Sequence, residues 1–215
     1  MINNIFPKIH NEGYKFLAIS IIATLATLLF SNILTLIFLI LTIWVYYFFR
    51  DPDRVSINDD NFFVSPADGL ITQIIETKGP SELNLQDTSF TRISIFMNVF
   101  NCHVNRSPIS GSVSKIFYKP GKFFNASLDK ASEENERNYF KIVSKKGEEI
   151  IVVQIAGLIA RRIITQVSVN ENLSQGQRIG MIRFGSRVDL YLQNKKILAK
   201  VGQNITAGES LLAKE

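Results

Sequence analysis

From Phe16 to Phe49 the chain runs for 34 residues without a charged side chain. That exceeds what a core helix of a soluble domain carries, and it reads as a segment that enters a membrane. One straight helix of this length would extend about 51 Å at 1.5 Å per residue, against a hydrocarbon core of roughly 30 Å. Ser31-Asn32 stands at the midpoint and divides the run into two apolar halves, each short for a full crossing. The expectation is a helical hairpin within residues 1–50 that dips into or just spans the bilayer, with a single tilted span as the alternative. Lys8 and Lys15 before the run balance Arg50 and Arg54 after it. Near-equal basic flanks suit a hairpin with both ends in the cytoplasm and Trp44, Tyr46 and Tyr47 at the interface. A cleavable signal peptide fits poorly, because the run is too long and no small-residue cleavage site follows it.

After Arg50-Asp51-Pro52, where proline stops the helix, the pattern changes to short apolar runs punctuated by Gly, Pro, Asn and Asp. Strands are expected at Leu70–Glu76, Arg92–Met97, Gly111–Tyr118, Asn138–Ser144, Glu149–Ile155, Arg162–Gln166, Val188–Leu192 and Ile197–Val201. The charged, glycine-free run Asp129–Arg137 reads as a solvated loop or a short helical turn. The predicted fold class is mainly β, a barrel or sandwich of short strands preceded by the hydrophobic helical hairpin, with residues 51–215 as one β-rich domain. About 165 residues remain for that domain, enough for a core of its own.

A net charge of +5 spread along the chain lacks the dense basic runs of a nucleic-acid binder, and suits instead an anionic lipid surface. The single cysteine, Cys102, excludes an internal disulfide framework and leaves no metal-ligand cluster. Its neighbour His103 suggests a Cys-His nucleophile pair, but adjacent residues on a strand face opposite ways, so Cys102 reads as a small buried hydrophobe.

The chemistry resides in Gly185-Ser186. A serine preceded by glycine in a taut turn can attack the carbonyl on its own N-terminal side, because glycine places no Cβ beside that carbonyl. The amide becomes an ester. Elimination across the serine Cα–Cβ bond frees the upstream chain, and hydrolysis of the resulting dehydroalanine releases ammonia and leaves a pyruvoyl group on residue 186. Such a ketone is a built-in electrophile. Taken alone, the dipeptide is common and reads first as an ordinary turn.

Phe184-Gly185-Ser186-Arg187 occurs together with Ser65-Pro66-Ala67-Asp68-Gly69, Phe49-Arg50-Asp51-Pro52, Asn98-Val99, His103-Val104-Asn105 and Glu134-Asn135-Glu136-Arg137. In this set and order the chain resembles the short bacterial and archaeal type of phosphatidylserine decarboxylase proenzyme, along nearly its whole length. The resemblance implies cleavage into a β chain, residues 1–185, and an α chain, residues 186–215. It implies a covalent pyruvoyl cofactor from Ser186, with neither metal nor pyridoxal phosphate. Phosphatidylserine in the membrane would be bound as a Schiff base and converted to phosphatidylethanolamine and carbon dioxide, at the cytoplasmic face of a bacterial inner membrane. Partners would be the lipid and the two fragments of the chain, without nucleic acid; a homo-oligomer is left open.

Serine is a weak nucleophile at its ordinary pKa, so the cut needs a base. Of two histidines, His10 precedes the apolar run and His103 is the only imidazole of the soluble domain. His103 is therefore the candidate base, and afterwards the candidate acid that protonates the product carbon. Asp68 is the candidate carboxylate that orients the imidazole, as the resemblance implies, although Asp68-Gly69 equally suits a turn. Longer relatives carry two histidines separated by two residues here; alignment on Pro108 puts His103 at the first and Arg106 at the second. Either His103 serves both steps, or Arg106 or water takes one. Arg161 and Arg162 are candidates for lipid phosphate, since arginine forks match its oxygens.

Three other functions share parts of this pattern. The segments Ser65–Ile71 and Val201–Leu211 resemble hammerhead strands of biotinyl and lipoyl carriers, which would make the chain an anchored carrier or adaptor with Lys145-Lys146-Gly147 as its nearest attachment tip. A pyruvoyl decarboxylase of another amine lacks a reason for the membrane segment. A serine hydrolase lacks its Gly-x-Ser-x-Gly elbow.

Overall fold

The computed structural model describes residues 6–124, 134–158, 162–183 and 186–215. The chain divides into two compact units, Met1–Asp53 and Arg54–Glu215.

The first unit contains two helices, α1 (Tyr14–Thr27) and α2 (Asn32–Phe48), interrupted beside Ser31-Asn32. Thr24 and Thr42 share a hydroxyl hydrogen bond of 2.9 Å between the two helices. Ser20, Thr24, Thr27, Thr35 and Thr42 each donate to a carbonyl one turn back, so these hydroxyls need no water. The ends close on each other: His10 N donates to Phe49 O (2.8 Å) and Asp51 N to Lys8 O (2.7 Å). His10 is buried and its Nδ1 accepts from Glu12 N, capping the 3-10 turn Asn11–Gly13. No described helix is long and apolar enough to cross a membrane.

The second unit is built from antiparallel strands. An eight-stranded sheet runs in the order β13 (Asn204–Ile205), β2 (Gly69–Lys78), β3 (Ser89–Met97), β11 (Ser186–Leu192), β7 (Glu149–Ala156), β6 (Arg137–Ser144), β5 (Gly111–Lys119), β9 (Asn172–Leu173). Two three-stranded sheets accompany it: β1 (Phe62–Val64), β14 (Leu211–Lys214), β12 (Lys196–Ile197), and β4 (Val104–Arg106), β10 (Arg178–Arg183), β8 (Arg162–Thr165). All three contribute to one core, with Phe63, Leu212, Ile163 and Ile182 from the small sheets meeting Ile95, Val152 and Val188 from the large one. Strand alternation explains this: Val188, Leu190 and Leu192 of β11 enter the core, while Arg187, Asp189 and Tyr191 take the opposite face. β7, apolar but for Glu149 and Gln154, is buried on both faces, its Ile151, Val153 and Ile155 packing with Leu83, Phe90 and Tyr139.

The fold is thus mainly β, a large sheet with two small ones packed over it, whose described ladder ends at β13 and β9 without closing. Three differences from expectation have physical reasons. The strands at 62–64, 104–106, 172–173, 178–183, 204–205 and 211–214 carry too few alternating residues, or too many Gly, Asn and Arg, for periodicity to detect. The strand expected at Ile197–Val201 shortens to Lys196–Ile197, because a turn at Val201-Gly202 follows. Within Asp129–Arg137, residues 129–133 lie outside the described ones, whereas Asn135 and Glu136 are buried rather than solvated, since their side chains bond backbone groups.

Candidate active site

Ser186 opens β11, fully buried, with Met97 of β3 and Ala156 of β7 as its Cα partners on either side. Alternation puts its side chain on the core face with Val188. Its Oγ is buried and has no hydrogen-bond partner among the described residues. An unsatisfied buried hydroxyl costs about 1–3 kcal/mol, a cost characteristic of reactive positions. Phe184 and Gly185 lie outside the described residues. Arg183 ends β10 and Ser186 begins β11, so between them the chain passes from a small sheet into the large one.

His103 is fully buried immediately before β4, and its carbonyl accepts from Ile182 N at 3.3 Å. The loop from Met97 to His103 therefore joins the partner of Ser186 on one side to the partner of β10 on the other. His103 Nδ1 lies 3.0 Å from the Asn101 carbonyl. A carbonyl only accepts, so Nδ1 carries a proton and faces Asn101 O.

Asp68 is buried, but its carboxylate accepts from Ala207 N (2.7 Å) and from Arg54 (3.0 Å). Its loop is bonded to β4, where Pro66 O accepts from Arg106 N at 2.9 Å. The group that meets His103 Nδ1 is thus Asn101 O, while Asp68 is paired with Arg54. Arg106 donates to Gly176 O (2.9 Å) and lines, with Arg54 and Arg178, a cavity of about 700 Å³. The register Arg106↔Arg178 sets it five residues of β10 before Arg183, roughly 17 Å at strand rise.

Arg161 lies outside the described residues. Arg162 is exposed and stands opposite Arg183 across β8 and β10, so two guanidinium side chains occur at the strand end that leads into residues 184–185. Cys102 is buried, and among the described residues no three His, Cys, Asp or Glu are grouped to hold a metal. At the proposed carrier tip, Lys145 pairs with Asp60 (2.8 Å) and Lys146 with Glu215 (2.9 Å).

Several supporting residues escape sequence reading. Asn135 donates to Ala156 O (2.7 Å), and Ala156 N donates to Glu136 O (2.9 Å), fixing the residue opposite Ser186. Glu136 also accepts from Ile163 N; burial, then the negative charge of Glu136, pushes the Tyr118 phenol up. On the outer face, Arg187 and Asp189 form a buried bidentate pair of 2.6 and 2.9 Å. Asn135, Glu136 and Arg187 stand in motifs quoted from the sequence, where nothing marks their structural role, and Gln154 is signalled as a lone polar residue inside an apolar strand.

A family model for phosphatidylserine decarboxylase matches residues 41–213. The chain belongs to the phosphatidylserine decarboxylase family. It is 65% identical over 215 residues, and over the full length of both chains, to the phosphatidylserine decarboxylase proenzyme of Pelagibacter ubique (strain HTCC1062). It is 49% identical over 214 residues to the proenzyme of the same name from Ruegeria pomeroyi, covering 99% of this chain and 98% of that one. The Cereibacter sphaeroides proenzyme matches at 49%, covering 92% of its length.

Proposed function

We propose that the chain decarboxylates phosphatidylserine to phosphatidylethanolamine after cutting itself between Gly185 and Ser186 into chains 1–185 and 186–215. The observation that carries this reading is the buried Ser186 Oγ, unbonded among the described residues, at the start of a strand of the central sheet. His103 Nε2 takes the Oγ proton as Oγ attacks the Gly185 carbonyl, and the amide becomes an ester. Loss of the Cα proton expels the Gly185 carboxylate, and water replaces the dehydroalanine nitrogen, which leaves as ammonia. Asp68 is the carboxylate that stabilises the imidazolium; the bond between its loop and β4 supports this, and it requires exchange with Arg54.

The residues fit a pyruvoyl group at 186: the serine Oγ leaves with the Gly185 carboxylate, and the buried start of β11 between Met97 and Ala156 suits the small methyl ketone that would replace it. The group supplies an acceptor for the substrate amine and a sink for the electrons left as carbon dioxide departs. His103 Nε2 returns a proton to the substrate carbon, serving both steps, because Arg106 is directed to Gly176 and the remote cavity. Arg162 and Arg183, with Arg161 beside them in sequence, attract the lipid phosphate.

The helical pair would anchor the enzyme at the cytoplasmic face of the cell membrane. Its apolar residues are turned outward, with Leu29 84% and Phe30 81% exposed at the bend. At 14 and 17 residues the helices are about 21 and 26 Å long, short of the roughly 30 Å core, which favours a hairpin that dips in.

Vesicles of phosphatidylserine labelled in the serine carboxyl test the reading. Labelled carbon dioxide is expected, and cyanoborohydride with substrate should trap lipid on the 186–215 fragment. Cleaved protein that releases no label would overturn it.

A further inference from the structure

Three buried amide side chains, with the exposed Thr165 at one end, connect the two sheets that meet at the cut. Asn105 of β4 accepts from Gln154 Nε2 of β7 (2.8 Å), and Asn105 Nδ2 lies 3.6 Å from Met97 Sδ of β3. Gln154 Oε1 accepts from Asn138 of β6 (3.2 Å), whose amide also donates to Thr165 of β8 (3.1 Å). Asn105 and Gln154 are fully buried and Asn138 is 1% exposed. A Cβ at Gly180 of β10 would come within 3.2 Å of Gln154 Nε2 and 2.2 Å of Ile164 O, so glycine leaves room for the chain of amides.

The placement of these bonds is specific. β4 and β8 flank β10, whose end is Arg183; β3 and β7 flank β11, whose start is Ser186. Asn105 sits two residues from His103 on β4, and Gln154 two residues from Ala156 on β7. The Asn105–Gln154 and Asn105–Met97 links thus join a neighbour of the strand before the cut to a neighbour of the strand after it, and Asn138 of β6 ties β7 to β8 behind them. Two sheets in van der Waals contact alone could slide by a fraction of an ångström, whereas buried amides leave a single register, since any slip leaves donors unpaired.

We infer that the Asn105–Gln154–Asn138 chain is a positioning device that sets the β10 end against the β11 start and thereby aims Ser186 at the Gly185 carbonyl. This inference rests on the self-cleavage reading above. Neither amide reacts; they act through His103 and Ser186, and the alignment they impose is worth most in the attack, where small misplacement is costly.

The test separates alignment from stability. Replacing both partners by apolar groups removes the bridge without leaving an unpaired amide between them, while the Asn138 amide loses Gln154 and keeps Thr165. Pulse-labelled wild type and the double variant Asn105→Leu/Gln154→Leu are followed by gel for conversion into two fragments, with thermal midpoints measured on the Ser186→Ala background. The expected result is a midpoint close to that of the parent, with cleavage slower by about tenfold or more. Cleavage at the wild-type rate would overturn the inference. If the double variant yields no folded monomer, Gln154→Met, which nearly preserves volume, is measured against the same criteria on its folded fraction: slow cleavage supports the inference and wild-type cleavage overturns it. A wild-type chain that is never cut would sink the self-cleavage reading itself, an outcome distinct from either.

Discussion

Ser186 stands opposite Ala156 across the β11–β7 pairing, and the backbone of Ala156 is bonded not to it but to Asn135 Nδ2 and Glu136 O. The residue beside the nucleophile is therefore fixed by a side-chain amide and a backbone carbonyl from another segment, and the Glu134–Arg137 motif gains a physical role. Asn135→Ala leaves the Ala156 carbonyl and the Phe124 groups unpaired, which should cost about 1–3 kcal/mol. Thermal unfolding of the uncleaved Ser186→Ala background checks the loss, and a gel time course on the Ser186 form should show slower cleavage.

His103→Ala should reduce self-cleavage by about 10²–10⁴-fold, the usual contribution of a positioned base. Added imidazole, small enough to occupy the void, should restore part of the rate. A variant that cuts at the parent rate would remove His103 from the mechanism.

Arg187 and Asp189, buried behind the reactive strand, differ from surface pairs. Arg187→Met leaves the buried Asp189 carboxylate with Arg92 alone among the described residues, 4.0 Å away, and should cost about 3 kcal/mol, whereas replacing both residues with apolar ones should cost far less. Chemical denaturation of the Ser186→Ala form distinguishes these outcomes.

Glu82 supplies an acid-sensitive contact. Burial raises its pKa, but the bond from Lys119 (2.9 Å), its own backbone N–H and the charge of Arg137 outweigh burial and bring it from 4.5 to about 2. A depressed folded pKa means that this stabilisation is present above 4.5 and is lost as pH falls toward 2. Glu82→Gln should flatten the stability profile across that window and leave its shape near neutral pH unchanged.

The exposed bend of the helical pair predicts a lipid phenotype. Leu29→Lys with Phe30→Lys should weaken binding to vesicles containing anionic lipid in a flotation assay, while self-cleavage proceeds normally.

The legible parts of the sequence were those with strong local signals. Residues on β2, β3, β5, β6, β7 and β11 alternate or form long apolar runs, and the interruption at Ser31-Asn32 lies in an otherwise uninterrupted apolar stretch. β4 and β10 were not legible, because three residues, or six containing Gly180 and two arginines, define no period. Ser186 and His103 could be singled out by residue chemistry and scarcity. The Asn101 carbonyl could not, because a backbone group leaves no trace in side-chain identity, and the Asp68–Arg54 pair depends on a contact across a turn.

The central claim is the cut, and the most direct measurement is the intact mass of the purified chain beside its Ser186→Ala variant. The account predicts two fragments divided after Gly185, the smaller lighter by one ammonia than a peptide starting with serine, and an undivided variant. A wild-type chain that remains whole in lipid-supplemented native buffer, or a small fragment that retains an intact serine, would contradict it.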